Sequence, residues 1–242
     1  MTVTADPRVV VGLTAQAELL DAMQAAGARR IGWKAGFGAP AAMEAMGLDA
    51  PLVGFLTDRS LLPLEPAPAP VTLDGWARPM AEAEVAVVLA TDLGPDEAPD
   101  TLLAAVGAVA PAIELADLDL APSPDVVAEI LAGDIFHRHV LVGAPRPTPG
   151  GWPGRDLRAE VRHVTADGQA TRTVIEDVEV GPGSAVAVLA ACARGAAMVG
   201  PGLQRGDVVI LGSMLPPVPV APGERFTVTL EGMPSIEIAL TR

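Results

Sequence analysis

The sequence predicts an α+β domain in which a mixed, rolled or barrel-like sheet forms the core and helices flank it. Three observations point there. Strand-like and helix-like segments are mixed without the regular alternation of a βαβ fold. The chain closes on three strands, Asp207 to Leu211, Glu224 to Leu230 and Ser235 to Leu240, parted by turns at Pro222-Gly223 and Glu231-Gly232. Half of the 242 residues are hydrophobic, yet only 3% are aromatic and Tyr is absent, so Ala, Val, Leu and Ile must build the core. A chain of this length buries such a core in one large domain.

In chain order, Thr14 to Gly27 predicts a helix, with Thr14 as cap, good helix formers, apolar residues at helical spacing and a terminal Gly. Arg30 to Gly38 reads as a short strand whose glycines kink it or admit a close neighbour. A short helix follows around Ala41 to Met46. Pro63, Pro66, Pro68 and Pro70 then form a stiff extended spacer rather than a domain boundary. Ala81 to Leu89 is apolar enough for a buried strand. Asp100 to Ala108 predicts a helix, Ala110 to Leu115 a buried strand, and Pro124 to Leu131 a helix opened by Ser123. After the turn-rich Pro145 to Gly154, the segments Leu157 to Val164 and Thr171 to Val180 flank Asp167-Gly168 as a hairpin. Ser184 to Val199 is a second strong helix. Gly181-Pro182-Gly183 before it partly matches a dinucleotide fingerprint, but Val186 stands where Gly or Ala belongs, so it reads as helix entry.

A net charge of −14 and a pI near 4.5 disfavour nucleic acid and anionic membranes as partners, because both reward basic patches. A cation is the natural partner. The single Cys192 excludes an internal disulfide framework and, in an Ala-rich stretch, reads as a small buried hydrophobe rather than a thiolate catalyst. Met1 to Pro7 lacks a signal pattern, and no apolar run of about 18 residues is free of turn formers, so a cytoplasmic protein is expected.

Glu82 and Glu84 interrupt the apolar strand Ala81 to Leu89. Residues i and i+2 of a strand share a face, so the two carboxylates converge. Two like charges in a core are costly unless one is protonated or a cation lies between them. The pattern is therefore half of a metal site, or else the polar face of an edge strand. Glu114, in Ala110-Pro111-Ala112-Ile113-Glu114-Leu115-Ala116-Asp117, is a third acid where the pattern wants an apolar residue. Three such acids suit a hard cation such as Mg²⁺ or Mn²⁺, which takes oxygen ligands and leaves positions for a chelating substrate. His and Cys sets with zinc spacing are absent from the sequence.

Gly32-Trp33-Lys34-Ala35-Gly36, Gly54-Phe55-Leu56-Thr57-Asp58, Arg78-Pro79 before Glu82 and Glu84, Pro111-Ala112-Ile113-Glu114 with Asp117, and Gly206-Asp207 through Gly212-Ser213 follow in this order. Together they resemble the 2-keto-4-pentenoate hydratase and 4-oxalocrotonate decarboxylase group of the fumarylacetoacetate hydrolase superfamily. The resemblance runs from Gly32 to the C-terminus, dividing the chain into a short N-terminal helical cap, 1–31, and a catalytic domain, 32–242. It implies a mixed β-roll of the fumarylacetoacetate hydrolase C-terminal type, with Mg²⁺ or Mn²⁺ held by Glu82, Glu84 and Glu114. The substrate, a small 2-oxo or 2-hydroxy acid, would chelate that metal through its carboxylate and neighbouring oxygen, and the cation would stabilise an enolate. Lys34 matches a proton-transferring lysine, with a setting suited to lowering its pKa by desolvation. Asp58 matches a second acid–base group, although an Asp before Arg59 in a loop is ordinarily a turn or surface residue. Asp117 could hold a metal-bound water and Ser213 the substrate carboxylate, unless both are turn or strand-end residues.

Two departures from the family stand out. Fewer residues precede Lys34 than the hydratases usually carry, and Gly133 to Val140 replaces the usual Asp-Asn and small residues with bulky and basic ones. In a strand His137 and His139 share a face, where they would meet a second substrate carboxylate, supply a base for attack by water, or form a polar or subunit-contacting face. His163 reads as a surface residue. The leading expectation is a hydro-lyase acting on a short 2-hydroxy-2,4-dienoate in aromatic-ring degradation. Rivals are an acylpyruvate-type hydrolase, a 2-oxo acid decarboxylase or tautomerase, and a noncatalytic partner subunit. His137 or His139 beside the glutamates, with room for a water, would favour the hydrolase; Lys34 there alone would favour the hydratase. The Ala- and Val-rich surface suggests a homo-oligomer.

Overall fold

Apolar runs too continuous for a one-sided sheet need cover on both faces, and the two longest strands of the fold are of this kind. The computed structural model describes residues 6–153, 157–178 and 185–242. Its elements are α1 (Pro7–Ala25), β1 (Arg30–Gly36), α2 (Pro40–Met46), β2 (Leu52–Thr57), β3 (Ala69–Thr72), β4 (Pro79–Leu89), α3 (Pro99–Ala104), β5 (Val106–Asp117), α4 (Val127–Ala132), β6 (His137–Val142), β7 (Arg146–Pro147), β8 (Ala159–Val164), β9 (Ala170–Ile175), α5 (Ala185–Val199), β10 (Val208–Ser213), β11 (Val218–Pro219), β12 (Arg225–Leu230) and β13 (Ile236–Thr241).

The larger sheet has the order β2-β1-β10-β4-β5-β6, with β11 beside β4 and β7 beside β5. The smaller has the order β3-β13-β12-β8-β9. β1 pairs with β10, and β3 with β13, in parallel, while the other ladders are antiparallel. This is the mixed α+β architecture expected. β12 and β13 pack on β4 and β5, α5 crosses β1, β2 and β10, and α1 lies on α4 and α5. Leu13 and Leu20 of α1 join the same core as Val85, Val87, Leu115 and Phe226. Among the described residues no helix is long and apolar enough to cross a membrane.

Several boundaries differ from expectation. α1 begins at Pro7, where the Asp6 carboxylate accepts the Arg8 backbone N–H at 2.9 Å, while Thr14 lies inside the helix and donates to the Val10 carbonyl. α3 stops at Ala104, and residues assigned to its end belong to β5, whose cross-strand pairing outweighs their weak helix preference. Ser123 makes no side-chain cap, and a 3₁₀ turn at Pro124–Val126 leads into α4. The end of the proline spacer pairs as β3. Met1 to Ala5, Gly154, the end of the Thr171–Val180 segment, and Gly181-Pro182-Gly183 with Ser184 lie outside the described residues.

Gly32 shows why β1 needs glycine. A Cβ there would lie 1.9 Å from the Val208 carbonyl oxygen of β10. Gly32→Ala is expected to force β1 and β10 apart and destabilise the fold by about 3 kcal/mol, read as a lower urea midpoint with an unchanged m-value.

Candidate active site

β4 lies between β10 and β5, so it is an interior strand and its acids cannot be the wet face of a sheet edge. In the β4–β5 ladder Glu82 is directly opposite Glu114, and Glu84 opposite Ala112. Opposed residues share a face, as do i and i+2, so the register alone puts all three carboxylates on one side of two neighbouring strands. Glu84 is 0% and Glu114 1% exposed, and Glu82 borders a cavity of about 570 Å³.

Lys34, 2% exposed on β1, places Nζ 2.6 Å from Glu114 Oε1 and donates to the Ile135 carbonyl at 3.2 Å. His137 Nδ1 is 2.8 Å from the same Oε1. Burial acts to raise the Glu114 pKa, but Lys34 and His137 outweigh it and hold Glu114 below the ordinary carboxylate value. An ionised carboxylate only accepts, so His137 carries its proton on Nδ1. Its Nε2 is then a bare acceptor, buried with no hydrogen-bond partner among the described residues. Burial acts to lower the Lys34 pKa, but the charges of Glu114 and Asp134 win and raise it. The expected downward shift of Lys34 is thus reversed, because desolvation is offset by two carboxylates. Burial, with the charge of Glu114, pushes Glu82 up to about 7. The same causes, with Glu82, drive Glu84 well above its ordinary value despite the Gly212 N–H donated to Oε2 at 2.8 Å.

Among the described residues no three His, Cys, Asp or Glu side chains stand close enough to close on an ion as placed. Their partners explain this: Glu114 turns to Lys34 and His137, and Glu84 to Gly212. The donor set nevertheless fits a hard divalent cation. Three carboxylates share a face, Glu84 Oε1 is buried with no hydrogen-bond donor among the described residues, and two of the three acids are destabilised as anions. Ligation needs side-chain rotation on a backbone already in register. A group whose folded pKa is raised binds more protons folded than unfolded, so stability is lost as pH rises from the ordinary Glu value toward the folded one. The metal-free protein is therefore expected to lose about 3 kcal/mol from Glu82 alone between pH 4.5 and above 7. Thermal unfolding in EDTA reads this, and saturating Mg²⁺ should reverse it at pH 8 by about 3 kcal/mol at a hundredfold excess over Kd.

Other expected site residues divide. Ser213, opposite Glu84 on β10, borders the cavity. Asp58 does not reach it. Its carboxylate accepts the Arg29 backbone N–H at 2.9 Å and pairs with the Arg29 guanidinium, at the far end of the β1–β2 hairpin. Five residues of strand, about 16 Å, separate Arg29 from Lys34. Asp58→Asn is accordingly expected to leave kcat within about threefold, since exposed polar substitutions away from a site change little. Asp117 also points elsewhere. Three positions from Glu114, it falls on the opposite face of β5 and accepts from the Ala77 and Arg78 N–H groups and from Arg138. It fastens a loop rather than a metal-bound water.

His137 and His139 do not share a face. β6 pairs Leu115 with His139 but Ala116 with His137, a bulge that absorbs Arg138. His137 consequently turns to Glu114, while His139 stacks on Trp76 with ring centroids 6.0 Å apart. His163 is mostly buried and bonds Glu224 at 2.8 Å. Cys192 is fully buried, and burial with the charge of Glu84 pushes its thiol up to about 12, which removes it as a nucleophile.

Asp134 was missed. Its Oδ1 accepts the Phe55 N–H at 2.8 Å; burial pushes its carboxyl well above the ordinary value although Lys34 opposes this, and when ionised it acts in turn to raise the Lys34 pKa. Asp134, Ile135 and Phe136 have φ of 55°, 53° and 62°, a left-handed run of three non-glycine residues. Each such residue costs roughly 1 kcal/mol or more. The turn aims the Asp134 carboxylate at β2 and the Ile135 carbonyl at Lys34. Gly54 makes room for it, since a Cβ there would sit 2.6 Å from Asp134 Oδ1. The available signal was an acid before Ile-Phe in a mostly apolar stretch, overshadowed by the histidines.

Fold and acidic face together define an enzyme of the fumarylacetoacetate hydrolase superfamily. No family model matches the chain. It is 30% identical over 225 residues to the 2-hydroxyhexa-2,4-dienoate hydratase of Comamonas testosteroni, covering 92% of this chain and 83% of that protein. It is 29% identical over 222 residues to a 4-oxalocrotonate decarboxylase of Pseudomonas sp, covering 89% and 80%. Among solved structures, 4-oxalocrotonate decarboxylase from Pseudomonas putida G7, complexed with calcium and acetate, superposes with a TM-score of 0.79 at 23% identity, over 95% of this chain and 84% of that one. Fumarylpyruvate hydrolase from Pseudomonas aeruginosa, in complex with Mn²⁺ and pyruvate, gives a TM-score of 0.60 at 17% identity, over 88% and 89%. The chain belongs to the 2-keto-4-pentenoate hydratase and 4-oxalocrotonate decarboxylase group of that superfamily.

Proposed function

We propose that this protein catalyses the divalent-metal-dependent hydration of a 2-hydroxy-2,4-dienoate to a 4-hydroxy-2-oxo acid. The observation that carries it is Lys34, a charged amine buried beside Glu114 and bordering one cavity with Glu82 and Ser213. His137 also touches Glu114, yet among the described residues it borders a different cavity, so it orients that carboxylate instead of facing substrate. A histidine does stand beside the glutamates, as diketo acid cleavage would want, but it does not border the cavity shared by Lys34 and Glu82, and this supports the hydratase reading.

Glu82, Glu84 and Glu114 would hold the ion, Mg²⁺ or Mn²⁺, a choice supported by relatives solved with magnesium, calcium or Mn²⁺. When bound it supplies the positive charge that stabilises a 2-oxo acid's enolate form. Lys34 Nζ passes a proton to the terminal dienol carbon and takes the enol proton in exchange, which leaves a conjugated 2-oxo-enoate. Water then adds its oxygen to C4 and a proton to C3. Ser213 would bind the substrate carboxylate, a role supported by its bordering the same cavity as Lys34 and Glu82.

A cytoplasmic homo-oligomer active in aromatic catabolism completes the proposal. The test is absorbance and product mass after adding the protein to freshly generated 2-hydroxypenta-2,4-dienoate. Metal-dependent loss of the dienol chromophore with gain of one water is expected; an unchanged dienol despite bound metal would overturn hydration.

A further inference from the structure

Resting on the hydratase reading, we infer that the substrate's end distant from its 2-oxo acid head is neutral and apolar, longer than a methyl group, and carries no second carboxylate. The same site has relatives that act, by name, on a monoacid and on a dioic acid, so the tail is where selectivity must be decided.

The polar side chains that border the cavity all come from the sheet. Lys34, Glu82, Glu114 and Ser213 come from β1, β4, β5 and β10. Its other described side chains are apolar, some from the same strands, as Ala35, Ala116 and Leu211, and some from elsewhere, among them Phe37, Leu118, Phe136 and Leu215. Phe37 and Phe136 face each other with centroids 6.3 Å apart, both held in left-handed backbone, so this wall is a built aromatic corner. Among the described residues that border the cavity, Lys34 is the sole cationic side chain, and Glu114 and the Ile135 carbonyl already engage it. A tail carboxylate laid against Phe37, Phe136 and Leu118 would give up water there with no cationic side chain to replace it, in a site already rich in carboxylates. A volume of about 570 Å³ also exceeds what a five- or six-carbon acid fills.

The test separates binding from turnover. Isothermal titration of the Mg²⁺-loaded protein uses three saturated acids that cannot be hydrated: 2-oxopentanoate, 2-oxooctanoate and 2-oxoadipate. Affinity should rise about fourfold per added methylene, the equivalent of burying each CH₂. 2-Oxooctanoate should therefore bind at least about 100-fold tighter than 2-oxoadipate. Leu215→Arg, with Leu118→Arg as the second variant, should narrow that ratio at least about tenfold by improving 2-oxoadipate. Equal or tighter binding of 2-oxoadipate by the unaltered protein would overturn the inference. If the preference holds but no dienol is hydrated, hydration fails while the tail selectivity stands; if no 2-oxo acid binds, both fall.

Discussion

Lys34→Met is expected to lower kcat by about 10³-fold at saturating metal while leaving KM within a few-fold, since the proposed role of the side chain is to move protons rather than to anchor the substrate. Its second effect is on Glu114. With Nζ gone, that buried carboxylate keeps only His137, and removing one partner of a buried pair typically costs about 3 kcal/mol. The metal-free variant should therefore unfold at lower temperature, and saturating Mg²⁺ should recover much of the loss by neutralising Glu114. Lys34→Arg should not restore the rate: the planar guanidinium does not fit between Glu114 and the Ile135 carbonyl, and it does not give up a proton. A variant with Met at 34 that retains near-normal kcat would remove Lys34 from the mechanism.

Glu84→Gln is expected to change stability and metal affinity in opposite directions. Glu84 is fully buried, its charge is opposed by burial and by Glu114 and Glu82, and one of its oxygens has no donor among the described residues. Deleting that charge should raise the metal-free Tm at pH 8 by about 3 °C or more. Mg²⁺ should then bind at least about 100-fold more weakly by calorimetry, and kcat/KM should fall on the order of 10³-fold. On the proposed ligand role, stability and function pull apart at this residue, a negative charge in the core being tolerated to hold a cation. A Glu84→Gln protein with unaltered metal affinity would show that the three carboxylates are not the ligand set.

Much of this was legible in the chain. Acids at 82, 84 and 114 inside apolar runs could be read as a shared face because a strand has a period of two. Lys34 between glycines could be placed beside them once the order of the motifs was recognised. The limits lie where one residue of register decides direction. Parity along β5 turns Asp117 away from Glu114, and a bulge at Arg138 parts His137 from His139; neither has a marker in composition. Asp58 sits in a matching motif, yet the β1–β2 hairpin carries it to the end away from Lys34.

By itself the sequence determined the α+β class, the buried strands and the identity of the acidic cluster, because hydrophobic period and misplaced charge are local properties. Tertiary structure alone decided which charges meet. Lys34 is a raised-pKa cation because Glu114 and Asp134 reach it from other segments. Asp134 enters through a left-handed turn that Gly54 accommodates. Electrostatic energy depends on separation and burial, and both are set by packing between segments distant along the chain.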